Sequence, residues 1–476
     1  MKFGRVTVNL GLRYEAGETW VEKDLHASTF REGQQSTRFP NAPKGLVAPG
    51  DAGIPDTIIE ADHNNFAPRL GAAWDVRGNG RTSLRAGWGI YYLPMPAQAI
   101  EQQNENVPFT QNVVRSLPNN VQSYNAYAGI VQPFPFLYDE NATQRFTLPT
   151  QAFNYNPGFK TAFMRQYNVN LQQQFGQDLI AMIGYVGSQG RNMLYGREIN
   201  AAVYGPGATA ANAQQRRPID PTSFTSLPSY FSDSSSTFNS MQLTLTKRYS
   251  RGYTLQGTYA LAVSNDDRSQ TSTAASAQSP YDPYDGEWAN SDFDRRHIMR
   301  INGVWELPWL TEPSAMNYVL GGWRVAGIFS MLSGQPTNIT SGVDRALLGA
   351  SSRGLGPQRP DQTKDPELPT DRSQAELIAA YFDKTAFVLP AEGSFGNTPR
   401  NSIVGPGAIT LDMSLVKRFA LGSAARRALE LRIEVFNLLN RVNLNNPNSA
   451  LNSAQFGQIQ SAGDARLMQL GLHFTF

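Results

Sequence analysis

The residues that could do chemistry in this sequence are sparse and poorly spaced for it. Its four histidines, His26, His63, His297 and His473, are scattered without the close pairing that a zinc site needs. Cysteine is absent, which removes thiol catalysis, thiolate metal sites and disulfides together and is in keeping with an oxidising exterior compartment. Two acidic stretches, NDDRSQ at 265–270 and DPYDGEWANSDFD at 282–294, offer carboxylates and loop carbonyls of the kind calcium takes, but not in the regular order of an EF-hand loop. A solvated loop is the simpler reading of both. No G-x-S-x-G turn presents a nucleophilic serine, and no glycine-rich segment follows a strand to open a helix. No catalytic, cofactor-binding or metal-binding residue is therefore assigned, and an enzyme is the weaker class of function.

What the chain repeats is alternation. In AITLDMSLVKRFALGSAARRALELRIEVFNLLN, residues 408–440, apolar Ile409, Leu411, Met413 and Leu415 are followed after a turn by Leu429, Leu431, Ile433 and Val435. Between them stand Thr410, Asp412, Ser414, Glu430, Arg432 and Glu434, so a hairpin here has one apolar and one polar face. The same period of two predicts about twelve strands. They lie near residues 3–15, 70–76, 84–92, 163–175, 178–188, 238–249, 253–264, 296–307 and 321–332, then in the hairpin just quoted, then in the closing MQLGLHFTF. Asn79-Gly80 marks a tight hairpin between the second and third. In the fourth, Gln166, Asn168, Asn170, Gln172 and Gln174 make one face wholly of amides, which wants water beside it.

The lengths of the connections decide what the strands build. Short and long connections alternate strictly, the long ones running from roughly thirty to seventy-five residues rich in Asn, Ser, Pro and Gly. A compact soluble sandwich has no reason to sort loops by length, whereas a barrel crossing an outer membrane carries short turns on one side and long loops on the other. No apolar run reaches the ~18 residues of a membrane helix, and mean hydropathy is −0.39, as expected if each strand shows lipid one face and water the other. Trp305, Trp309, Trp323, Tyr91 and Tyr92 fall at strand ends, where aromatic girdles belong. With 41 basic against 39 acidic residues and no basic run, nucleic acid is excluded as a partner. The fold class is thus all-β, an antiparallel transmembrane β-barrel. Its polar wall would be lined by Arg13, Arg69, Arg85, Arg300, Arg324 and Arg432.

Several segments, in order, resemble the C-terminal barrel of TonB-dependent outer-membrane receptors, in particular the Oar-like group. They are NNFAPRLGAAWDVRGNGRTSLRAGWGIYY at 64–92, FNSMQLTLTKRYSRGYTLQGTYALAVS at 238–264, DFDRRHIMRINGVWELP at 292–308, GGWRVAGIFSMLSGQP at 321–336 and YFDKTAFVLPAEGSFGNTPRNSIVGPG at 381–407. The ending LMQLGLHFTF is similar to the strand such proteins present to the barrel assembly machinery, which would give that role to Leu470, Leu472, Phe474 and Phe476.

The resemblance implies a place in the bacterial outer membrane, surrounded by its lipid, and energy-coupled uptake of an extracellular ligand caught by the loops near 94–162 and 333–407. It also implies a plug domain and a TonB complex as partners, and a barrel of about twenty-two strands. Signal peptide, TonB box and plug are not found in this sequence, so residues 1–476 are expected to be the C-terminal part of such a barrel. Two alternatives stay open: twelve strands closing alone into a small pore or barrel enzyme, and a secreted soluble β-protein that binds glycans or partners.

Overall fold

A computed structural model of the chain describes residues 1–17, 20–95, 101–110, 138–139, 143, 146–269, 277–282, 286–307, 319, 321–349, 355–369, 371–421 and 427–476. Twelve long strands run through it: β1 (Val6–Gly17), β2 (Asp62–Asp75), β3 (Thr82–Tyr92), β4 (Phe163–Phe175), β5 (Leu179–Glu198), β6 (Pro228–Ser250), β7 (Tyr253–Asp266), β8 (His297–Glu306), β9 (Trp323–Leu332), β10 (Ala408–Ala420), β11 (Ala428–Phe436) and β12 (Leu467–Thr475). Each pairs antiparallel with the next in chain order, and three two-residue extensions complete one fifteen-stranded sheet. The meander follows from the hairpins. At the first, the Asp75 carboxylate accepts the amides of Gly78 and Gly80, each at 2.9 Å, and both glycines take the left-handed backbone that the turn demands.

Register assigns every side chain to a face. Met413 lies opposite Val435 and Gly327, Leu415 opposite Ile433 and Val325, while Ser414 lies opposite Glu434 and Ala326. Most large apolar residues of the twelve strands thereby fall on one side of the sheet, with exceptions such as Met182, Val304 and Ile328 on the polar face, and among the described residues they form an exposed band. Leu12 is 70% exposed, Ile183 46% and Leu470 75%, each as one member of a continuous band. A band of that extent facing water is not tolerated by a soluble protein. It is the surface that hydrocarbon wets, and pairing through the ladders satisfies the backbone groups inside it, as hydrocarbon requires. Among the described residues no helix is long and apolar enough to cross a membrane. The strands are the spanning elements.

The structure departs from the sequence expectation in two respects. First, β5 continues ten residues beyond the expected end at 188, and β6 starts ten residues before 238. The added parts pair with each other, Tyr195 with Phe231 and Glu198 with Pro228, and rise past the ends of β4 and β7 as a ribbon whose β6 side is joined in parallel by Asn154–Tyr155. SDSSST at 232–237 has no apolar alternation because this stretch stands beyond the lipid and needs no greasy face. Second, the twelve strands do not close on themselves. β1 pairs on its outer side only with Lys2–Phe3, and the outer edge of β12 has no partner among the described residues. The self-contained small barrel is therefore overturned.

The two faces predict opposite responses at one depth. In refolding of the protein into bilayers, Met413→Arg is expected to lower stability by about 2–4 kcal/mol, because mid-strand on the lipid face a guanidinium has no water. Ser414→Arg, one residue along on the polar face, is expected to change it by less than about 1 kcal/mol. Equal losses in the two variants would refute the face assignment.

Candidate functional site

The long connections are not irregular coil. Above β1 to β6 they pack into two hydrophobic clusters, one around Phe30, Phe39, Leu46, Phe109, Phe224 and Leu227, the other around Val47, Ile54, Ile58, Phe153, Tyr155 and Tyr230. Above β9 to β12, Phe382, Phe387 and Phe456 meet edge to face with centroids 5.1–5.9 Å apart, over Ile339 and Ile403. The described aromatic residues of the loops 94–162 and 333–407 thus pack in or against the cores of folded caps. Residues 111–137 of the first loop, and Trp309 among the expected girdle residues, lie outside the described residues.

The acidic stretches, expected as solvated loops, hold arginines. Arg359, fully buried, donates from Nη1 to Glu287 at 2.8 Å and from Nε to the Thr398 carbonyl at 2.8 Å. Arg400 pairs with Asp266 and, at 3.3 Å, with Asp292, and gives its Nε to the Glu287 carbonyl at 3.0 Å. Asp267 accepts from Ser234 and Ser235 of β6, and Asp294 accepts the Ser264 amide at 2.7 Å. No described group of three or more such ligands is arranged to hold a metal. Guanidinium groups pair with Asp266, Glu287 and Asp292, and the network ties the loop after β7 to the loop after β9 as an ionic latch where solvated loops were expected.

A second buried carboxyl has a different character. Glu198, at the top of the β5–β6 ribbon and above the bilayer, accepts the amides of Asn200 and Leu227, each at 2.8 Å, through one oxygen. Its other oxygen is buried without a partner. Burial pushes its pKa up to about 7 despite those two amides and the nearby Arg217.

The six arginines share the polar face but not one site. Arg13 and Arg69 open into a cavity of about 530 Å³ where the tops of β1, β2 and β3 meet the caps. Arg13 is held by Glu15 at 2.8 Å. The Arg69 guanidinium lies 4.5 Å from the centroid of Tyr91, and its buried Nε has no partner among the described residues. Beside it Asn65, 1% exposed, donates to the Asp62 carbonyl and to Thr161, leaving its buried Oδ1 unpaired. Trp20, 69% exposed, stands among the same lining residues. Tyr91 is thus not a girdle residue; register puts Tyr92 on the outward side, 5.8 Å from Phe163, and Tyr91 on the polar side with Arg69.

Arg300 lines a separate groove of about 560 Å³ with Asn302, Asp412 and Glu434. Arg85 lies opposite Asn170, Arg324 opposite Glu306, and Arg432 is clasped by Glu430 at 2.7 Å and Glu434 at 3.9 Å. Leu470, Leu472 and Phe474 lie opposite Ile433, Leu431 and Leu429 on the outward face, and Phe476 is 91% exposed. Asn65 and Tyr91 were not singled out as site residues from the sequence. The one available signal is Asn65 within NNFAPRLG, a buried amide where the apolar beat begins.

Outside this chain, the outer membrane beta barrel domain family model matches residues 4–469. Among solved structures, the outer membrane transporter YddB from Escherichia coli is 12% identical over 87% of this chain and 41% of its own, with TM-score 0.47. The ferric-catecholate import receptor Fiu from E. coli K12 is 10% identical over 98% and 42%, with TM-score 0.39. The pyoverdine outer membrane receptor FpvA from Pseudomonas aeruginosa PAO1 is 9% identical over 88% and 37%, with TM-score 0.41. The chain thus spans about two-fifths of the length of those three. No protein of curated function matches it.

Two measurements check the caps. Glu287→Ala strands Arg359 in the interior and is expected to cost about 3–5 kcal/mol, read as faster hydrogen exchange at Arg359 and Thr398 while the strands stay protected. Glu198 binds its proton more tightly folded than unfolded, so its contribution is present below its ordinary value of 4.5 and lost as pH rises through about 7. Cap stability is expected to fall by an amount on the order of 2–3 kcal/mol between pH 4.5 and 7.5, and Glu198→Gln to remove that slope. A slope that survives the substitution assigns it to another group.

Proposed function

The chain belongs to the outer membrane beta barrel domain family, and we propose that it supplies wall and outer mouth to an energy-coupled receptor of the TonB-dependent kind. On this reading a ligand from outside enters beneath the caps and is held at the arginine-bearing top of β1 to β3. The observation that carries the proposal is the cavity of about 530 Å³ at that place, where Asn65 Oδ1 and Arg69 Nε are both buried and both unpaired. A buried acceptor and a buried donor without partners cost about 1–3 kcal/mol each, a cost that a ligand able to pair with both would relieve on binding. Tyr91 and Trp20 add flat apolar surface for it.

The polar face below continues the path. From Arg69 and Gln166 it runs past Asn168 and Asn170, where Gly87 and Gly184 leave room for the amides; a methyl group on Gly184 would sit 2.3 Å from the Asn170 carbonyl oxygen. A row of amides and arginines with little apolar interruption holds water, or a polar plug, against the wall. On the same reading plug and TonB supply the gating, and Leu470, Leu472, Phe474 and Phe476 serve insertion by the barrel assembly machinery rather than transport.

The test uses the purified chain in detergent with a panel of a ferric catecholate, cobalamin, a maltodextrin and a tripeptide, followed by equilibrium dialysis. At least one class is expected to bind, and Arg69→Ala or Asn65→Ala to weaken it at least tenfold while strand circular dichroism is unchanged. Binding that ignores both substitutions would remove the cavity from the proposal, and no binding by any class would sink the receptor reading at this mouth.

A further inference from the structure

Charge is nearly balanced over the whole chain, but not at its short-turn end. There the described residues 1–5, 75–82, 175–179, 246–253, 306–307, 321–323, 417–421 and 427 carry ten lysines and arginines against three carboxylates, Asp75, Asp178 and Glu306. All three carboxylates are engaged. Asp75 caps its turn, Asp178 pairs with Lys247 at 2.6 Å, and Glu306 accepts the Tyr249 hydroxyl. Arg77, Arg81, Arg248 and Arg251 stand exposed on the turns.

The position of this rim relative to the apolar band is the second observation. Tyr253 and Trp305 pair across from each other at the last turn of the outward face, and Trp323 ends the same row. Two lysines sit among these rings on that same outward face. Lys247, opposite Leu255, places its ammonium 4.6 Å from the Tyr253 centroid. Lys417, opposite Leu431 and Trp323, lies 5.1 Å from Phe419 and 5.9 Å from Trp323. Both ammonium groups are engaged within the chain, Lys247 with Asp178 and Lys417, 2% exposed, with the Gly321 carbonyl, so they add positive charge behind the aromatic row and not free donors.

We infer that this basic rim binds the phosphate-bearing headgroups of anionic phospholipids in the leaflet on the short-turn side, and so fixes the depth at which the sheet sits in the membrane. The four exposed arginines meet the phosphates at the level marked by the row of Tyr253, Trp305 and Trp323, and the engaged Lys247 and Lys417 add to the positive field there. The inference rests on the spanning strands alone and is independent of any transported ligand.

Quenching of tryptophan fluorescence tests it, with the full chain in dodecylmaltoside micelles doped with dibrominated phosphatidylglycerol or dibrominated phosphatidylcholine. The anionic lipid is expected to quench at a several-fold lower mole fraction, with the advantage shrinking as salt rises. Substitution of Arg77, Arg81, Arg248 and Arg251 by Gln, all on exposed turns, is expected to bring the two lipids close to parity. Equal quenching of the unsubstituted chain by both lipids would overturn the inference. So would a quadruple variant that keeps the preference. Inorganic phosphate that abolishes the preference more effectively than chloride of equal ionic strength would show sites for a free anion, which also overturns a headgroup surface.

Discussion

Hydrocarbon offers no partner to an amide, and the rest of this structure follows from that constraint. A chain that crosses a bilayer without helices must satisfy each N–H and C=O from a neighbouring strand. Antiparallel hairpins do this with the shortest connections, and the period of two then separates side chains into a lipid row and a water row without further instruction. Met413 and Ser414 are neighbours in sequence and meet different solvents. Low mean hydropathy, an exposed apolar band and an interior of amides and arginines are three consequences of one rule.

The same chain meets a second regime above the membrane, and there it behaves as an ordinary protein. The clusters around Phe30 and Phe224, and around Phe382 and Phe456, are conventional cores built by hydrophobic burial, which has little role in the lipid-embedded part. Among the described residues buried charge gathers in the caps, Lys417 at the short-turn end of β10 apart. Arg359 with Glu287 and Arg400 with Asp266 join two loops that no ladder connects. Such pairs add little net stability against apolar replacements, but they punish misalignment strongly, because a lost partner leaves a charge in the interior. Their effect is to hold the loop after β7 and the loop after β9 in one arrangement over the mouth.

This division explains what was legible in the sequence. Where lipid imposes its period most strands were readable closely: β4 was expected at 163–175 and is found at Phe163–Phe175, although β2 begins at Asp62 and not near 70. Reading failed where lipid stops. The upper halves of β5 and β6 carry no alternation, since caps rather than hydrocarbon hold them. Arg69 was placed on the polar face by parity alone, but its stacking on Tyr91 and the unpaired oxygen of Asn65 depend on how three long connections fold over β1 to β3, and a contact between residues 65 and 161 leaves no local trace. The acidic stretches misled for a related reason. Carboxylates in a loop look alike whether they face water, as was expected here, or an arginine more than a hundred residues away, as Arg400 is from Asp266.

The free edges press the first constraint to its end. β1 and β12 each turn a row of unpaired backbone groups outward, and β12 is exposed on both faces along nearly its whole length. In water such an edge invites aggregation, and in hydrocarbon every unpaired group costs several kilocalories per mole, so neither solvent tolerates the sheet as it stands. Among the described residues both edges stay open, and this sheet does not by itself enclose a lumen. The cavity at Arg13 and Arg69 lies beside the β1 edge, and whatever strand pairs there stands next to its lining. The backbone edge and the cavity are thereby coupled, since any ladder that satisfied the backbone of β1 would also bring side chains to the side of the cavity where Arg13 stands.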